Sequence, residues 1–307
     1  MNPKKGGSPI LIVGTGALAC LFAARLAASG SRVQMLGTWQ EGIAALHTGG
    51  VTLVEQDGAR RSYAVQASTN PSDFAGSPFA LVLVKAWQTE RAAAHLFDCL
   101  AVDGVALTLQ NGLGNREMLV AHLGAERVAF GVTTGGATLL GPGEVRPGGE
   151  GQISLGAHPR LEPLARVLRA AGFKVDVVED VDSLAWSKLL VNAAINPLTA
   201  LLGIPNGELL SRPSARKLSA SLAREVAVVA AKKGIALPFA DPVTVVEEVA
   251  RRTSANQSSM LQDVLRGAPT EIDAICGAVV TAGKDVGVPT PVNEVMWKLV
   301  SALRENA

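Results

Sequence analysis

Cysteine is scarce in this chain, with three in 307 residues. Cys20, Cys99 and Cys276 are odd in number and far apart, which excludes a disulfide framework and a thiolate metal cluster. Histidine is scarce too: His47, His95, His122 and His158 stand alone, and none has the spacing of a metal site. Excess charge is absent, with 28 basic residues against 27 acidic ones. A nucleic-acid partner needs a strongly basic face, so that class is excluded, although a local basic pocket for a phosphate is not. No run of about 20 apolar residues exists to cross a membrane. The greasiest stretch, residues 189–202, is interrupted by Asn192, Asn196 and Pro197. Lys4-Lys5 ahead of the apolar run 10–24 imitates a secretion signal. Gly14-Thr15-Gly16 breaks that run and Arg25 follows, a pattern that a strand–turn–helix explains residue by residue. The expectation is a reducing, cytoplasmic setting with no metal, nucleic acid or membrane.

What is present is enough apolar material for two domains: 48% of residues are hydrophobic and 18% charged. Up to about residue 180, short runs rich in Val, Ile and Leu alternate with helical patterns. Strands are predicted at 10–13, 32–36, 80–84, 105–109 and 127–132, with helices such as 18–28 and 89–100 between them. Such runs lack polar alternation, as strands buried on both faces of a parallel sheet do. The class is therefore α/β, with a Rossmann-type doubly wound sheet over residues 1–181. The glycine-rich region 135–156 breaks the rhythm and reads as turns and short antiparallel strands, 152–155 among them. Residues 182–307 read as an all-α domain. Helices are predicted at 183–202, 213–233, 242–252, 259–264, 270–286 and 293–305, with prolines near their ends.

Ile10-Leu11-Ile12-Val13 runs into Gly14-Thr15-Gly16-Ala17-Leu18-Ala19, the G-x-G-x-x-A form of the dinucleotide fingerprint. Gly14 would permit the tight turn, Gly16 the close approach of a pyrophosphate, and Ala19 the packing of helix on strand. The phosphates would rest on N–H groups at the positive end of the helix. At the tip of the second strand stands Gly37-Thr38-Trp39-Gln40. No acid is there to bind the ribose 2′-hydroxyl of NAD, which tilts the reading toward NADP, yet no arginine is there to grip a 2′-phosphate.

Lys188, Asn192 and Asn196 are spaced i, i+4, i+8 in an otherwise apolar helix, and so lie along one face. A lysine and two carboxamides in such a setting need partners, which a bound oxyacid or carbonyl would supply. A snorkelling lysine with capping asparagines explains the same spacing. Ser258 or Ser259 reads as a helix cap, Gln262 standing in a capping-box relation to Ser259, and Thr270-Glu271 as an ordinary helix start. Lys85 and Asn111 follow predicted strand ends, where ligands of open α/β sheets bind. An Asn-Gly turn and a solvated lysine are the structural alternative.

Taken in order, these pieces resemble the ketopantoate reductase family. The resemblance runs nearly the whole chain. It is carried by Gly14-Thr15-Gly16-Ala17-Leu18, Val84-Lys85-Ala86-Trp87-Gln88, Gln110-Asn111-Gly112-Leu113-Gly114 and Trp186-Ser187-Lys188. It continues through the 192–200 and 205–209 segments, Ser258-Ser259-Met260-Leu261-Gln262-Asp263 and Thr270-Glu271-Ile272-Asp273. The resemblance implies an all-α C-terminal domain like that of 6-phosphogluconate dehydrogenase. It also implies NADPH-dependent reduction of ketopantoate (2-dehydropantoate) to pantoate, within pantothenate and coenzyme A biosynthesis. Lys188 would be the general acid, and Glu271 a catalytic residue where substrate and cofactor meet. Asn111, Asn192, Asn196, Asn206 and Ser259 would hold the substrate. Gly14, Thr15, Gly16, Ala17, Leu18, Lys85, Asn111, Ala137 and Glu271 would hold NADP, with NAD still open. The family's usual arginine after the second strand is replaced here by Gly37-Thr38-Trp39, which bears on the choice of dinucleotide and not on the reaction. The alternatives are a reductase of another 2-keto acid, a 3-hydroxyacid dehydrogenase of similar build, or a dinucleotide sensor without turnover. Apolar faces on 270–286 and on the last helix leave homodimer formation open.

Overall fold

A computed structural model describes residues 8–303. The Lys4-Lys5 pair and the far end of the helix predicted at 293–305 lie outside the described residues. Two compact units divide the chain. The first comprises Met1–Val84, Gln88–Gln110 and Asn115–Val181; the second comprises Lys85–Trp87, Asn111–Gly114 and Asp182–Ala307.

The first unit is built on strands β1 (Ile10–Val13), β2 (Val33–Leu36), β3 (Val51–Val54), β4 (Arg60–Tyr63), β5 (Gln66–Ser68) and β6 (Ser77–Val82). They are followed by β7 (Leu100–Thr108), β8 (Val128–Thr133), β9 (Ala137–Gly141), β10 (Glu144–Pro147), β11 (Gln152–Gly156) and β12 (Lys174–Val178). Eight of them form one sheet in the order β12-β11-β8-β7-β6-β1-β2-β5. Its pairings are parallel except for β8 with β11. Helices α1 (Ala17–Ala28), α2 (Gln40–Gly49), α3 (Thr89–Cys99), α4 (Asn115–Leu123) and α5 (Glu162–Ala170) complete the α/β alternation. Every residue of β1 is buried, as a central strand covered on both faces must be. One core packs Phe22 of α1 against Phe173, their rings 4.3 Å apart, and a second lies around Leu11, Val82 and Leu96.

A smaller four-stranded sheet, β4-β3-β10-β9, packs on α1. The β9/β10 hairpin falls in the glycine-rich region where antiparallel strands are predicted. Strands β3, β4, β5 and β12 are absent from the sequence reading, for physical reasons. β4 is Arg60-Arg61-Ser62-Tyr63 and largely exposed, and β5 has three residues, so neither carries an apolar run.

The second unit is helical. Its helices are α6 (Val181–Leu202), α7 (Glu208–Ser211), α8 (Pro213–Lys232), α9 (Pro242–Arg252), α10 (Ser259–Leu265), α11 (Ala278–Asp285) and α12 (Pro291–Ala302). They enclose one core that includes Leu190, Val226, Met260 and Val279. The helix predicted at 270–286 is present and is refined in one respect: its first turn, Asp273–Gly277, is π-helical and runs directly into α11. Trp297 packs on Gly277, where an added Cβ would stand 3.0 Å from the indole, and its ring N–H donates to Asp273 at 2.7 Å. A wider local turn is a common device where a helix must re-aim a side chain.

Candidate active site

Two features of the first unit suit a dinucleotide. The chain leaves β1 through Gly14, whose φ of +131° is open to glycine alone, and a Cβ there would stand 2.9 Å from the Leu83 carbonyl oxygen. Gly16 then starts α1 without any side-chain cap, and no acid lies in the first turn. A Cβ added at Gly16 would meet nothing within 4 Å. The N–H groups that open a helix need acceptors, and here the chain supplies none from side chains while leaving room above them. A pyrophosphate fits that demand. Ala17 and Leu18 form the first turn, and Ala19 is fully buried against the sheet. Ala137 opens β9, half-buried and packed on the first core.

The remaining polar residues of interest belong to the second unit, including the two short segments that follow β6 and β7. Gln110 braces these strand ends, donating to the Val84 carbonyl at 3.0 Å and to Thr89 at 2.8 Å. Within the second unit, Glu271 gathers three groups. The Ala86 N–H donates to one carboxylate oxygen at 3.1 Å, the Asn111 carboxamide donates to the other at 3.2 Å, and the Lys85 ammonium lies 3.7 Å from it. Glu271 is 6% exposed. An ordinary helix start would point this carboxylate at its own backbone, so that local reading is corrected. Gly112, at φ +81°, admits no side chain, since a Cβ would come within 2.3 Å of the Ala274 carbonyl oxygen. Lys85 is not a solvated surface lysine: its ammonium is 2.6 Å from Asp263, whose side chain is 8% exposed. Burial strips hydration from Lys85, but the Glu271 and Asp263 carboxylates outweigh that and hold it above the usual lysine value.

Lys188, Asn192 and Asn196 occur on α6 in the spacing read from sequence, about 12 Å from first to last at a helical rise of 1.5 Å per residue. Around them Trp186, Leu189, Leu190, Ala193 and Ile195 are buried. Lys188 keeps some accessible surface, yet protein atoms crowd its ammonium. That desolvation brings its pKa down to about 8, with the Glu271 charge opposing the fall. Asn196 is buried, and among the described residues no hydrogen bond reaches the carboxamides of Asn192 or Asn196. Thr199, further along α6, meets the Ser258 hydroxyl at 2.7 Å and fixes the helix against the start of α10.

At that start Ser258 is the cap, accepting from the Leu261 N–H at 3.1 Å. The capping-box relation between Ser259 and Gln262 is corrected, because Gln262 reaches back to the Gln257 carbonyl. Ser259 is thereby spared from capping and lies one turn before Asp263. Asn206 is buried, its amide donating to Thr253 at 2.9 Å while its Oδ1 has no partner among the described residues. Sequence reasoning passed over Asp263 and the Ala86 N–H. The i, i+4 spacing of Ser259 and Asp263 was a usable signal for the first; a backbone N–H leaves none.

Uncapped N–H groups over an open glycine and a desolvated lysine with a pKa of about 8 suit an oxidoreductase working with a dinucleotide. Comparison with known proteins narrows it. Residues 10–160 match the family "Ketopantoate reductase PanE/ApbA" and residues 180–304 match "Ketopantoate reductase PanE/ApbA C terminal". The chain belongs to the ketopantoate reductase family. It is 34% identical over 298 residues to 2-dehydropantoate 2-reductase of Halobacterium salinarum, covering 95% of this chain and 97% of that protein. Against the Archaeoglobus fulgidus 2-dehydropantoate 2-reductase it is 35% identical over 297 residues, covering 95% and 96%. A PanE/ApbA family ketopantoate reductase from Ralstonia eutropha superposes with a TM-score of 0.90 at 30% identity, covering 97% of this chain and 99% of that one. D-mandelate dehydrogenase with NADH and anilino(oxo)acetate superposes with a TM-score of 0.91 at 26% identity, covering 97% and 99%. Among the described residues no helix is long and apolar enough to cross a membrane, and no group of His, Cys, Asp and Glu could hold a metal ion.

Proposed function

We propose that this chain reduces 2-dehydropantoate to pantoate, a step of pantothenate and coenzyme A biosynthesis, with Lys188 as the proton donor. The observation that carries the reading is Lys188 itself. Its ammonium is desolvated to a pKa of about 8, on one helix face with Asn192 and Asn196, under the field of Glu271. When bound, the reduced nicotinamide supplies hydride to the carbonyl carbon. The carbonyl oxygen then becomes an alkoxide, which a neighbouring ammonium both stabilises and protonates. An ordinary lysine near pKa 10.5 would be a weaker acid; one near 8 is still charged at neutral pH and gives its proton more readily.

Asn192, Asn196, Asn206, Ser259 and Asn111 are assigned to the substrate's carboxylate and hydroxyls. The orphaned Oδ1 of Asn206 supports this, since a buried acceptor without a donor costs roughly 1–3 kcal/mol that a ligand hydroxyl would recover. The cofactor is assigned to residues 1–181 through Gly14, Thr15, Gly16, Ala17, Leu18 and Ala137, joined by Lys85, Asn111 and Glu271. Catalysis is assigned to residues 182–307. Glu271 anchors the Ala86 and Asn111 segments and steadies the charge of Lys188. The hydride source is assigned as a reduced nicotinamide dinucleotide; the residues that bear on NADPH against NADH lie at the tip of β2.

A second reading, reduction of another 2-keto acid, is favoured by the likeness to D-mandelate dehydrogenase. Purified protein with 2-dehydropantoate should oxidise a reduced nicotinamide dinucleotide with kcat/KM at least tenfold above that for the 2-keto acid of mandelate, about 1.4 kcal/mol of preference. The reverse ratio would transfer the assignment to the second reading. No oxidation of NADPH or NADH with either acid would overturn both.

A further inference from the structure

The dinucleotide reading leaves open which dinucleotide is held, and the first unit contains the residues that discriminate. In a sheet of this kind the adenosine ribose sits beyond the tip of the second strand. That tip is β2, ending at Leu36. Gly37 follows, and Thr15 of the glycine loop packs directly over it: a Cβ at Gly37 would stand 2.6 Å from the Thr15 methyl. The ring of Trp39 then covers Gly42, where a Cβ would be 2.3 Å away, so the indole is committed to the start of α2. Thr38 alone of the three is exposed.

The neighbouring strand supplies charge of one sign. β5 pairs with β2 so that Ser68 stands opposite Leu36, and the Ser68 carbonyl accepts from the Gly37 N–H at 3.2 Å. The Ser68 hydroxyl and the Asn70 carboxamide both donate to the Asp73 carboxylate, which makes no ion pair among the described residues. A fixed anion is thereby held beside the strand tip. α2 begins there without a side-chain cap, but Glu41 in its first turn already meets the positive end of the helix. No lysine or arginine occurs in residues 13–18, 37–46 or 66–76, the segments that leave the ends of β1, β2 and β5. Arg32 precedes β2, roughly 13 Å from its tip at 3.3 Å per residue. Arg25, at the far end of α1, is stacked on Phe173.

A 2′-phosphate carries a charge of about −1.5 to −2 at neutral pH. Beside Asp73 and Glu41, with no lysine or arginine in those three segments to receive it, that charge is repelled, whereas a 2′-hydroxyl is tolerated. We propose that this chain binds NADH in preference to NADPH, and that the discrimination lies in the uncharged Gly37-Thr38-Trp39 tip flanked by Asp73 and Glu41. The proposal rests on the dinucleotide reading and is independent of which keto acid is reduced.

The test is direct binding without substrate, following nicotinamide fluorescence as NADH or NADPH is titrated into the full-length protein. NADH is expected to bind at least tenfold more tightly. Thr38→Arg, at an exposed position, should tighten NADPH at least tenfold and leave NADH within a few-fold. Asp73→Asn should narrow the gap in the same direction. Equal or tighter binding of NADPH by the unmodified protein would overturn the proposal, as would a Thr38→Arg protein whose preference is unmoved. Binding of neither dinucleotide would overturn it together with the cofactor reading. Tight NADH binding without turnover of 2-dehydropantoate would leave it standing and remove only the substrate assignment.

Discussion

On the proposed function, the two units would meet negative charge by opposite means. The glycine loop of the first, Gly14-Thr15-Gly16-Ala17-Leu18, contains no ionisable side chain and relies on uncapped N–H groups at the start of α1. The second gathers Lys85, Lys188, Asp263 and Glu271, charged groups bound to or acting on one another. N–H dipoles do not titrate, so the cradle they form would hold phosphates alike across the pH range. A proton donor must titrate, and its pKa is set by how far burial and a neighbouring carboxylate pull against each other. On the proposed function, binding would be built from backbone in one unit and proton transfer from tuned charge in the other.

The largest effect should come from deleting the tuned charge. Lys188→Ala is expected to lower kcat by about 10²–10⁴, the usual worth of a general acid, while dinucleotide affinity changes little. A variant with near-normal kcat would break the division between the units. The converse change is Gly14→Ala. It forces a side chain into φ +131° and against the Leu83 carbonyl. Dinucleotide affinity should fall at least tenfold, with stability down by roughly 1–3 kcal/mol on thermal melting. Glu271→Gln should act more gently and in a diagnostic way. Removing the carboxylate charge that supports the Lys188 ammonium should move the alkaline break in kcat below the wild-type position near pH 8. A break that stays in place would show that Glu271 does not act on Lys188. The smallest effect belongs to a helix start with no ligand to hold. Asp241 caps α9 by accepting from the Val243 and Thr244 N–H groups. Asp241→Ala should lower the chemical-denaturation midpoint slightly and leave kcat and both dissociation constants unchanged.

Much of this was legible in the sequence because periodicity and glycine placement report directly on packing. The β1–α1 turn and the Lys188/Asn192/Asn196 face follow from spacing alone, since a helix of 3.6 residues per turn admits one arrangement. Exposed β4 and three-residue β5 escaped because pairing, with no apolar pattern, defines them. The π-helical turn at 273–277 escaped because the residue pattern of a helix is the same for either winding, and the Trp297 packing over Gly277 there is a contact 20 residues away in the chain. The gathering at Glu271 was least legible. Its partners at 86 and 111 are 185 and 160 residues distant, and one is a backbone N–H that no residue type announces. Asp73 belongs with these: its place beside the β2 tip follows from Ser68 and the pairing of β5, which the sequence did not reveal.

The pH dependence of hydride transfer in a single turnover tests the central claim most directly, with dinucleotide and 2-dehydropantoate both saturating. Lys188 must be protonated to give its proton, so the rate of reduction should be level below about pH 8 and fall tenfold per pH unit above it. The oxidation of pantoate, which needs the neutral amine, should rise through the same range. A reduction rate that stays level to pH 10, or a break that survives in Lys188→Ala, would contradict the account.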